Sequence, residues 1–212
     1  MTACARAQAP SVGAGEPVPA NLAAARGVSG ATTPDVGPGR DHLLERLLKA
    51  LEGRLTVWET PKGQVVHVAH CRGVPGGCRA RIAIFARWLA DVADAFRVDP
   101  FLLAAIAVKE SGLNPFAEGS AGELGIVQLH PKGVGRRAKF VRNSNFRQRC
   151  ERSIGACQKE ILEIGAEHLA QAITRCGDVK AALGAYNSGK CGETDYTRRV
   201  LTERDQMLRY AR

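Results

Sequence analysis

The apolar run FLLAAIAVKE, residues 101–110, constrains the fold more than any other stretch of the chain. Eight of its ten residues are apolar, and the run is bounded by signals that start and stop helices. Asp99 is a favourable N-cap and Pro100 fits the first turn. Gly112 suits the residue that follows a helix, and Pro115 prevents the helix from continuing. The sequence therefore predicts a buried helix that ends on a charged pair.

Most of the remaining chain has the apolar periodicity of helices. Residues 41–53 carry a stripe of leucines, with Asp41 as the expected N-cap and Gly53 as the expected C-cap. Further amphipathic or small-residue helices are predicted at 79–98, 157–176, 178–189 and 195–211. The one β signal is LTVWETPKGQVVHVAH, in which a Pro-Lys-Gly turn separates two β-branched runs and predicts a small hairpin.

The predicted organisation has three parts. Residues 1–40 are rich in Ala, Pro and Gly and lack apolar periodicity, so we expect a disordered tail or tether. Residues 41–78 form an N-terminal helix and hairpin extension, and residues 79–212 form the main domain. The predicted fold class is mainly α, with a small N-terminal β-hairpin and a disordered N-terminal tail.

Six of the seven cysteines fall into local pairs: Cys71–Cys78, Cys150–Cys157 and Cys176–Cys191. Short-loop disulfides and an oxidising compartment are the interpretation that this spacing favours. The pairing is inferred from proximity alone, since six cysteines allow about fifteen connectivities. Zinc ligation and inert buried thiols are the alternatives, although no CxxC is present to favour zinc.

The seventh cysteine, Cys4, lies in the stretch ACARAQAP. This stretch resembles the small-residue end of an export signal, or the start of a lipoprotein whose cysteine carries the lipid, without a complete signal before it. A lipid anchor at Cys4 is one expectation, with a start codon assigned too far downstream as its explanation. An ordinary unpaired thiol is the alternative.

The formal net charge is +9, and most of it is concentrated in residues 132–152, which hold eight Lys or Arg against one acid, Glu151. Such a stretch can hold a protein to anionic envelope polymers. Nucleic acid is not expected as a partner, because no helix-turn-helix signature and few interleaved aromatics are present. The simplest alternative is a solvated basic surface. No apolar run approaches the roughly 18 residues of a membrane-spanning helix.

Glu110 lies at the end of the buried helix, on the face it shares with Ile106. Burial and the negative end of the helix dipole both raise the pKa of a carboxyl group in that position. A carboxylic acid that is still protonated near neutrality can donate a proton to the leaving oxygen in glycoside cleavage. The alternative is a solvated glutamate at a helix end.

Four segments, in this order along the chain, favour the general acid over the solvated glutamate as the interpretation of Glu110. They are ESGLNP from Glu110, GELGIVQLHP from Gly122, ALGAYNSG from Ala182 and YTRRV from Tyr196. Together they resemble the soluble lytic transglycosylases, which cut bacterial peptidoglycan on a lysozyme-like α-helical domain. The resemblance covers about half of the chain, from Val98 to Val200, and implies that residues 79–212 are the lysozyme-like transglycosylase domain.

The resemblance implies one catalytic residue, Glu110, acting first as acid and then as base. Ser111 is expected to steady the glycan or the glutamate, and Gln128 to line the sugar groove. The remaining expected substrate-binding residues are Tyr186, whose hydroxyl is expected to hydrogen-bond Glu110, and Asn187 and Tyr196. No metal or cofactor is required. The implied protein is a monomer in the cell envelope (periplasmic or outer-membrane-associated) or secreted, and its partner is the peptidoglycan glycan strand.

The implied reaction cleaves the β-1,4 bond between N-acetylmuramic acid and N-acetylglucosamine and leaves a 1,6-anhydromuramic acid end. Two alternatives stay open: a hydrolytic goose-type-like lysozyme, and a non-enzymatic wall-binding protein on the same fold. Hydrolysis would use a second carboxylate; the candidates are Glu118, Glu123, Glu193 and Asp195. The chain also departs from the usual family residues at Gly119 (usually Ser), Glu123 (usually Ala), Val127 (usually Met) and His130 (usually Met or small and apolar).

Overall fold

The computed structural model describes residues 38–55, 58–59, 65–66, 77–150 and 154–212, which are mainly helical, as predicted. The helices are α1 Pro38–Leu55, α2 Gly77–Phe96, α3 Pro100–Ser111, α4 Lys139–Arg142, α5 Ser144–Cys150, α6 Ile154–Cys176, α7 Val179–Ser188 and α8 Asp195–Tyr210, with a 3₁₀ turn at Val134–Arg137. Strands β1, Trp58–Glu59, and β2, Val65–Val66, pair antiparallel, with Trp58 opposite Val66. The turn of the expected hairpin lies outside the described residues.

Helix α3 is the centre of the hydrophobic core. Every residue from Phe101 to Ala107 is buried, and helices α1, α2 and α8 pack around it. A helix buried on all sides needs no polar face, which explains its nearly continuous apolar sequence. This packing fixes the last turn of α3, and with it Glu110, relative to the rest of the domain.

Both ends of α3 are those predicted from the sequence. The Asp99 carboxylate accepts hydrogen bonds from the backbone N–H groups of Phe101 and Leu102, at 2.8 and 3.3 Å. Arg204 of α8 pairs with the same carboxylate at 2.5 Å. Gly112 ends the helix in the left-handed conformation, with φ 59°, which a glycine adopts without steric cost.

Helix α1 differs from its predicted boundaries at both ends. It begins at Pro38, so Asp41 lies in its first turn rather than at the N-cap. Proline suits that first position, and the Asp41 carboxylate still faces the positive end of the helix dipole. Gly53 lies inside the helix instead of capping it: an added Cβ would stand 2.5 Å from the ring of Tyr210, so the glycine permits close approach of α8.

Helix α1 shares the core of the main domain. Leu47, Ala50 and Leu51 are fully buried and belong to the same cluster as Phe85 of α2 and Leu103 of α3. The leucine stripe therefore packs against the elements that carry the site.

Two disulfides join the expected local pairs. Cys150–Cys157 closes the junction of α5 and α6, with the Cα atoms 6.1 Å apart. Cys176–Cys191 fastens the end of α6 to the connection between α7 and α8, with a Cα separation of 5.6 Å. Cys71 lies outside the described residues, so its pairing with Cys78 stays a prediction.

The predicted tail up to residue 37, including Cys4, also lies outside the described residues. Among the described helices, none combines the length and apolar character that crossing a bilayer requires.

We expect Leu47→Ala to lower the stability of the whole domain by about 2–5 kcal/mol, because it removes a fully buried side chain from the shared core. Thermal unfolding measures this directly, and each kcal/mol corresponds to about 2–4 °C in Tm for a chain of this size. Lys49→Ala, an exposed change on the same helix, is the control. An unchanged Tm for Leu47→Ala would show that α1 unfolds separately.

Candidate active site

Glu110 stands where the end of α3 meets the start of α8. The Tyr196 hydroxyl donates a hydrogen bond to Glu110 Oε1 at 2.6 Å. Tyr196 is itself buried, on the first turn of α8, whose N-cap is Thr194. A short bond to a buried partner holds the half-buried carboxyl group in one orientation.

The surroundings of Glu110 favour its protonated form. Burial raises the pKa of the carboxyl group, and the charge of Glu123 raises it further. The hydrogen bond from Tyr196 and the charge of Arg199 act in the opposite direction, but the net shift is upward. A carboxyl group of this kind can retain a proton at a higher pH than a solvated glutamate, which is the property required of a general acid.

Two stacked tyrosines lie next to this carboxyl group. The rings of Tyr186 and Tyr196 are stacked, with centroids 6.5 Å apart and an interplanar angle of 10°. The Tyr186 hydroxyl does not make the expected bond to Glu110; it donates instead to the carbonyl oxygen of Val127 at 3.3 Å. Tyr196 takes that place because α8 packs directly on α3, whereas Tyr186 reaches the segment that contains Val127.

The segment 124–129 is held against the end of α3 by side-chain hydrogen bonds. Ser111 Oγ lies 2.7 Å from the carbonyl oxygen of Ile126, which accepts from it. Gln158 of α6 is fully buried; its Oε1 accepts from the N–H of Ile126 at 3.1 Å, and its Nε2 donates to Pro115 O at 2.9 Å. The Ser111 hydroxyl, which also lies 3.0 Å from the carbonyl oxygen of Ala107, therefore bonds to backbone carbonyls rather than to Glu110.

Gln128 has φ 48°, a left-handed conformation that is uncommon for a residue with a side chain. Its amide Nε2 donates to the carbonyl oxygens of Ala117 and Gly125, at 3.0 and 2.9 Å, and these local bonds offset the strain. Both N–H donors are thus engaged within the loop, and the amide oxygen lies close to Gly119.

Two cavities meet at Glu110, and we call them together the groove. The first half, about 510 Å³, is bordered by Glu123, Leu129, His130, His168, Tyr186 and Asn187, among others. The second half, about 720 Å³, is bordered by Arg54, Lys109, Ser111, Glu118 and Glu203, among others. Glu110, Gly119 and Gln128 border both halves. Glu110 therefore lies at the junction of the two cavities.

The structure brings most of the predicted site residues to this groove. Glu110, Gln128, Tyr186 and Asn187 border its first half, and Ser111 borders its second. Tyr196 lies behind Glu110 instead of on the groove wall, because it is buried and its hydroxyl is bonded to the carboxyl group.

Two of the four candidate second carboxylates border the groove, and the other two do not. Glu123 borders the first half of the groove and Glu118 the second. Glu193 is exposed and borders neither half, and Asp195 pairs with Arg198 on the surface of α8. Among the residues that the structure describes, no three His, Cys, Asp or Glu side chains gather as metal ligands would.

Sequence reasoning missed several polar contributions to the groove, among them His168 and Glu203. His168 packs on Tyr186, with ring centroids 5.3 Å apart, and burial lowers its pKa. Glu203 is buried between Arg54 and Lys109. Burial alone would raise the pKa of Glu203, but the hydrogen bonds and charges of these two cations lower it. Both residues interrupt apolar helical stripes, on α6 and α8, and this interruption could have identified them from the sequence.

Residues 89–207, more than half of the chain, match the transglycosylase SLT domain family. The matched region contains α3, the segment 124–129, α7 and the part of α8 that carries Tyr196. The chain therefore belongs to this family, whose members cleave peptidoglycan on a lysozyme-like helical fold. Helix α1, which supplies Arg54 to the groove, lies outside the matched region.

We expect Glu110→Gln to stabilise the domain at neutral pH. Because the pKa of Glu110 is raised in the folded state, its stability contribution is full below the ordinary value of 4.5 and falls as the pH rises through the folded value. The neutral amide avoids this loss. The Tm difference between variant and wild type should be positive at pH 7 and shrink below pH 4.5. A variant with a lower Tm at pH 7 would contradict this account.

We expect Tyr196→Phe to raise the pKa of Glu110 further, because the lost hydroxyl stabilises the carboxylate. Carbon-13 NMR titration of the Glu110 carboxyl carbon measures this pKa without any assumption about activity. Tyr210→Phe is the matched control, since Tyr210 is half exposed at the other end of α8. An unchanged or lower pKa in Tyr196→Phe would show that the bond to Glu110 is not formed in solution.

Proposed function

We propose that this chain is a lytic transglycosylase that cleaves the β-1,4 bond between N-acetylmuramic acid and N-acetylglucosamine, with Glu110 as its single acid and base. The observation that carries the proposal is the position of the Glu110 carboxyl group. It has a raised pKa, it is oriented by Tyr196, and it lies where the two halves of the groove meet.

The proposed reaction transfers one proton from Glu110 to the substrate and later returns a proton to Glu110. Protonated Glu110 donates the proton to the glycosidic oxygen as the bond to C1 breaks, which leaves an oxocarbenium-like centre on the muramic acid. The C6 hydroxyl of the same sugar then bonds to C1 and returns its proton to the Glu110 carboxylate. The product carries a 1,6-anhydro end, no water is consumed, and the enzyme regains its starting protonation state.

Individual groups support this course in different ways. Tyr196 can stabilise the Glu110 carboxylate between the two proton transfers, because its hydroxyl donates to Oε1. Tyr186 and the exposed Asn187 border the first half of the groove and could contact a sugar ring there, while the second half could take the strand on the other side of the bond. Neither half needs a metal or a cofactor for these steps.

Hydrolysis is the second candidate, and Glu123 is the observation that favours it. Glu123 borders the same half of the groove as Glu110 and is close enough for its charge to raise the pKa of Glu110. A second carboxylate can activate a water for attack on C1, as in inverting glycosidases. The products would then carry reducing ends.

We expect the enzyme to act as a monomer, in the cell envelope or after secretion. The basic stretch begins beside the groove at Gly133 and Val134, and Lys132, Arg136 and Arg142 in it are exposed. Arg137 is paired with Glu167 of α6. Contact with anionic wall polymers stays a prediction, and retention on sacculi that weakens with added salt would support it. The lipid anchor at Cys4 also stays a prediction.

Digestion of purified sacculi tests the proposal. We expect the wild type to release products with anhydro ends, and Glu110→Gln to release about 10²- to 10⁴-fold less, since the general acid is lost. Mass spectrometry separates the mechanisms, because an anhydro end lacks one water relative to a reducing end.

Glu193→Gln is the control, as it neutralises an exposed acid outside the groove. If the wild type released only products with reducing ends, the enzyme would be a hydrolase and not a transglycosylase. Binding to sacculi without release of products by the wild type would leave the wall-binding alternative.

A further inference from the structure

The end of helix α1 supplies the second half of the groove with a cation that the proposed reaction does not use. Arg54 lies in the last turn of α1 and borders this half. A Cβ atom on the neighbouring Gly53 would stand 2.5 Å from the ring of Tyr210, so the glycine lets α1 pack closely on α8. That packing sets Arg54 against Glu203 of α8. Because Arg54 lies outside residues 89–207, the family match assigns it no role.

Glu203 holds two cations at this border through one buried carboxylate. Its oxygens accept hydrogen bonds from Nε and Nη2 of Arg54, the latter at 2.9 Å. Lys109 Nζ lies 3.5 Å from Oε2 of the same carboxylate. The Glu203 side chain is 2% exposed, whereas the side chains of Arg54 and Lys109 are 30% and 34% exposed. The acid is therefore enclosed, and both cations keep an accessible surface where they border the groove.

The two cations have more charge and more donors than Glu203 takes up. One carboxylate balances only one of the two positive charges, so the three groups together stay positive. The bonds to Glu203 use Nε and Nη2 of Arg54, and the guanidinium carries further N–H donors on Nη1. The Lys109 ammonium can likewise direct another N–H toward a ligand.

Two further acids border the same half of the groove, Glu110 and Glu118. Burial raises the pKa of Glu110, so this group keeps its proton to a higher pH than a solvated glutamate does. Glu118 is exposed, on the loop that follows α3. An anionic ligand group would therefore be attracted by Arg54 and Lys109 and repelled by Glu118.

We propose that Arg54 and Lys109 form a carboxylate-binding site in the second half of the groove, which takes an acidic group carried by the glycan strand next to the bond that Glu110 cleaves. The planar guanidinium suits a carboxylate in particular, because it offers its donors as a fork. In peptidoglycan this acidic group is a carboxylate of the stem peptide, or the lactyl carboxylate where the peptide has been removed. The identity of the strand rests on the proposed function, whereas the cation pair stands on the geometry.

The site would make the enzyme sensitive to the substituent on the sugar as well as to the sugar itself. Both cations are only partly exposed, so the gain lies between that of a solvated ion pair and that of a charge-assisted hydrogen bond. We therefore expect it to contribute roughly 5- to 20-fold in affinity.

A change in the ligand tests the site without any change in the protein's fold. Soluble uncross-linked glycan strands that carry stem peptides are titrated by calorimetry into the Glu110→Gln protein, in which turnover is blocked. The same strands are then titrated after their carboxylates have been converted to carboxamides. We expect amidation to weaken binding by roughly 5- to 20-fold.

Peptide-free strands distinguish the two sources of the carboxylate. If the stem peptide supplies it, amidation weakens the binding of peptide-bearing strands alone. If the lactyl group supplies it, amidation of the peptide-free strands weakens their binding to the same extent. Unchanged affinity after amidation of both kinds of strand would overturn the inference.

Variants then show which side chains read the carboxylate. In the Glu110→Gln background, Arg54→Gln should weaken binding of the acidic strands, and amidation should cost this variant several-fold less than it costs the parent. Glu118→Gln should bind the acidic strands at least as tightly as the parent. The control is Arg40→Gln, which removes an exposed arginine that pairs with Asp91 at the other end of α1 and should show the full loss on amidation.

Arg54→Lys keeps a positive charge beside Glu203 and guards against a folding defect in Arg54→Gln. It should have an affinity between those of the parent and Arg54→Gln, because the charge remains and the fork is lost. Thermal unfolding of each variant separates loss of the site from loss of the fold.

An equal loss on amidation in the parent, Arg54→Gln and Arg54→Lys would show that Arg54 does not bind the carboxylate. Weaker binding of acidic strands by a folded Glu118→Gln would likewise contradict an anion site here. A wild type that releases no products from sacculi would refute the proposed function, whereas the calorimetric comparison of acidic and amidated strands would still decide this site.

Discussion

The hydrogen bond from Tyr196 to Glu110 is the contact on which the site depends. It joins the last turn of α3 to the first turn of α8, two helices that also pack closely along the core. Burial raises the pKa of the Glu110 carboxyl group above that of a solvated glutamate, and the Tyr196 hydroxyl keeps the group in one orientation. A general acid needs both properties, since a proton must be present and must point at the leaving oxygen.

Several features away from the groove serve to hold these two helices. Asp99 caps α3 and pairs with Arg204 of α8, so one carboxylate links the start of the buried helix to its main neighbour. Buried Gln158 bonds to both Pro115 and Ile126, which fixes the loop that faces Glu110. The Cys176–Cys191 disulfide restrains the ends of α7. The Glu110 carboxyl group is thus surrounded by elements that are held to one another, which is the arrangement that the proposed catalysis would need.

The charge distribution of the groove differs between its two halves. The second half contains two cations, Arg54 and Lys109, beside Glu118 and the buried Glu203, whereas no Lys or Arg joins Glu123 in the described lining of the first half. Glu110 lies between the two.

The sequence by itself determined the buried helix, its caps, the class of fold and the place of Glu110 at the end of that helix, because these depend on local periodicity and short motifs. It also indicated that Glu123 was unusual. Tertiary structure alone decided which tyrosine bonds Glu110, because Tyr186 and Tyr196 are equally plausible in sequence and only the packing of α8 on α3 distinguishes them. It likewise decided that Arg54 and His168 reach the groove and that Gly119 makes room for Glu123, since those contacts join side chains whose distances no local pattern specifies.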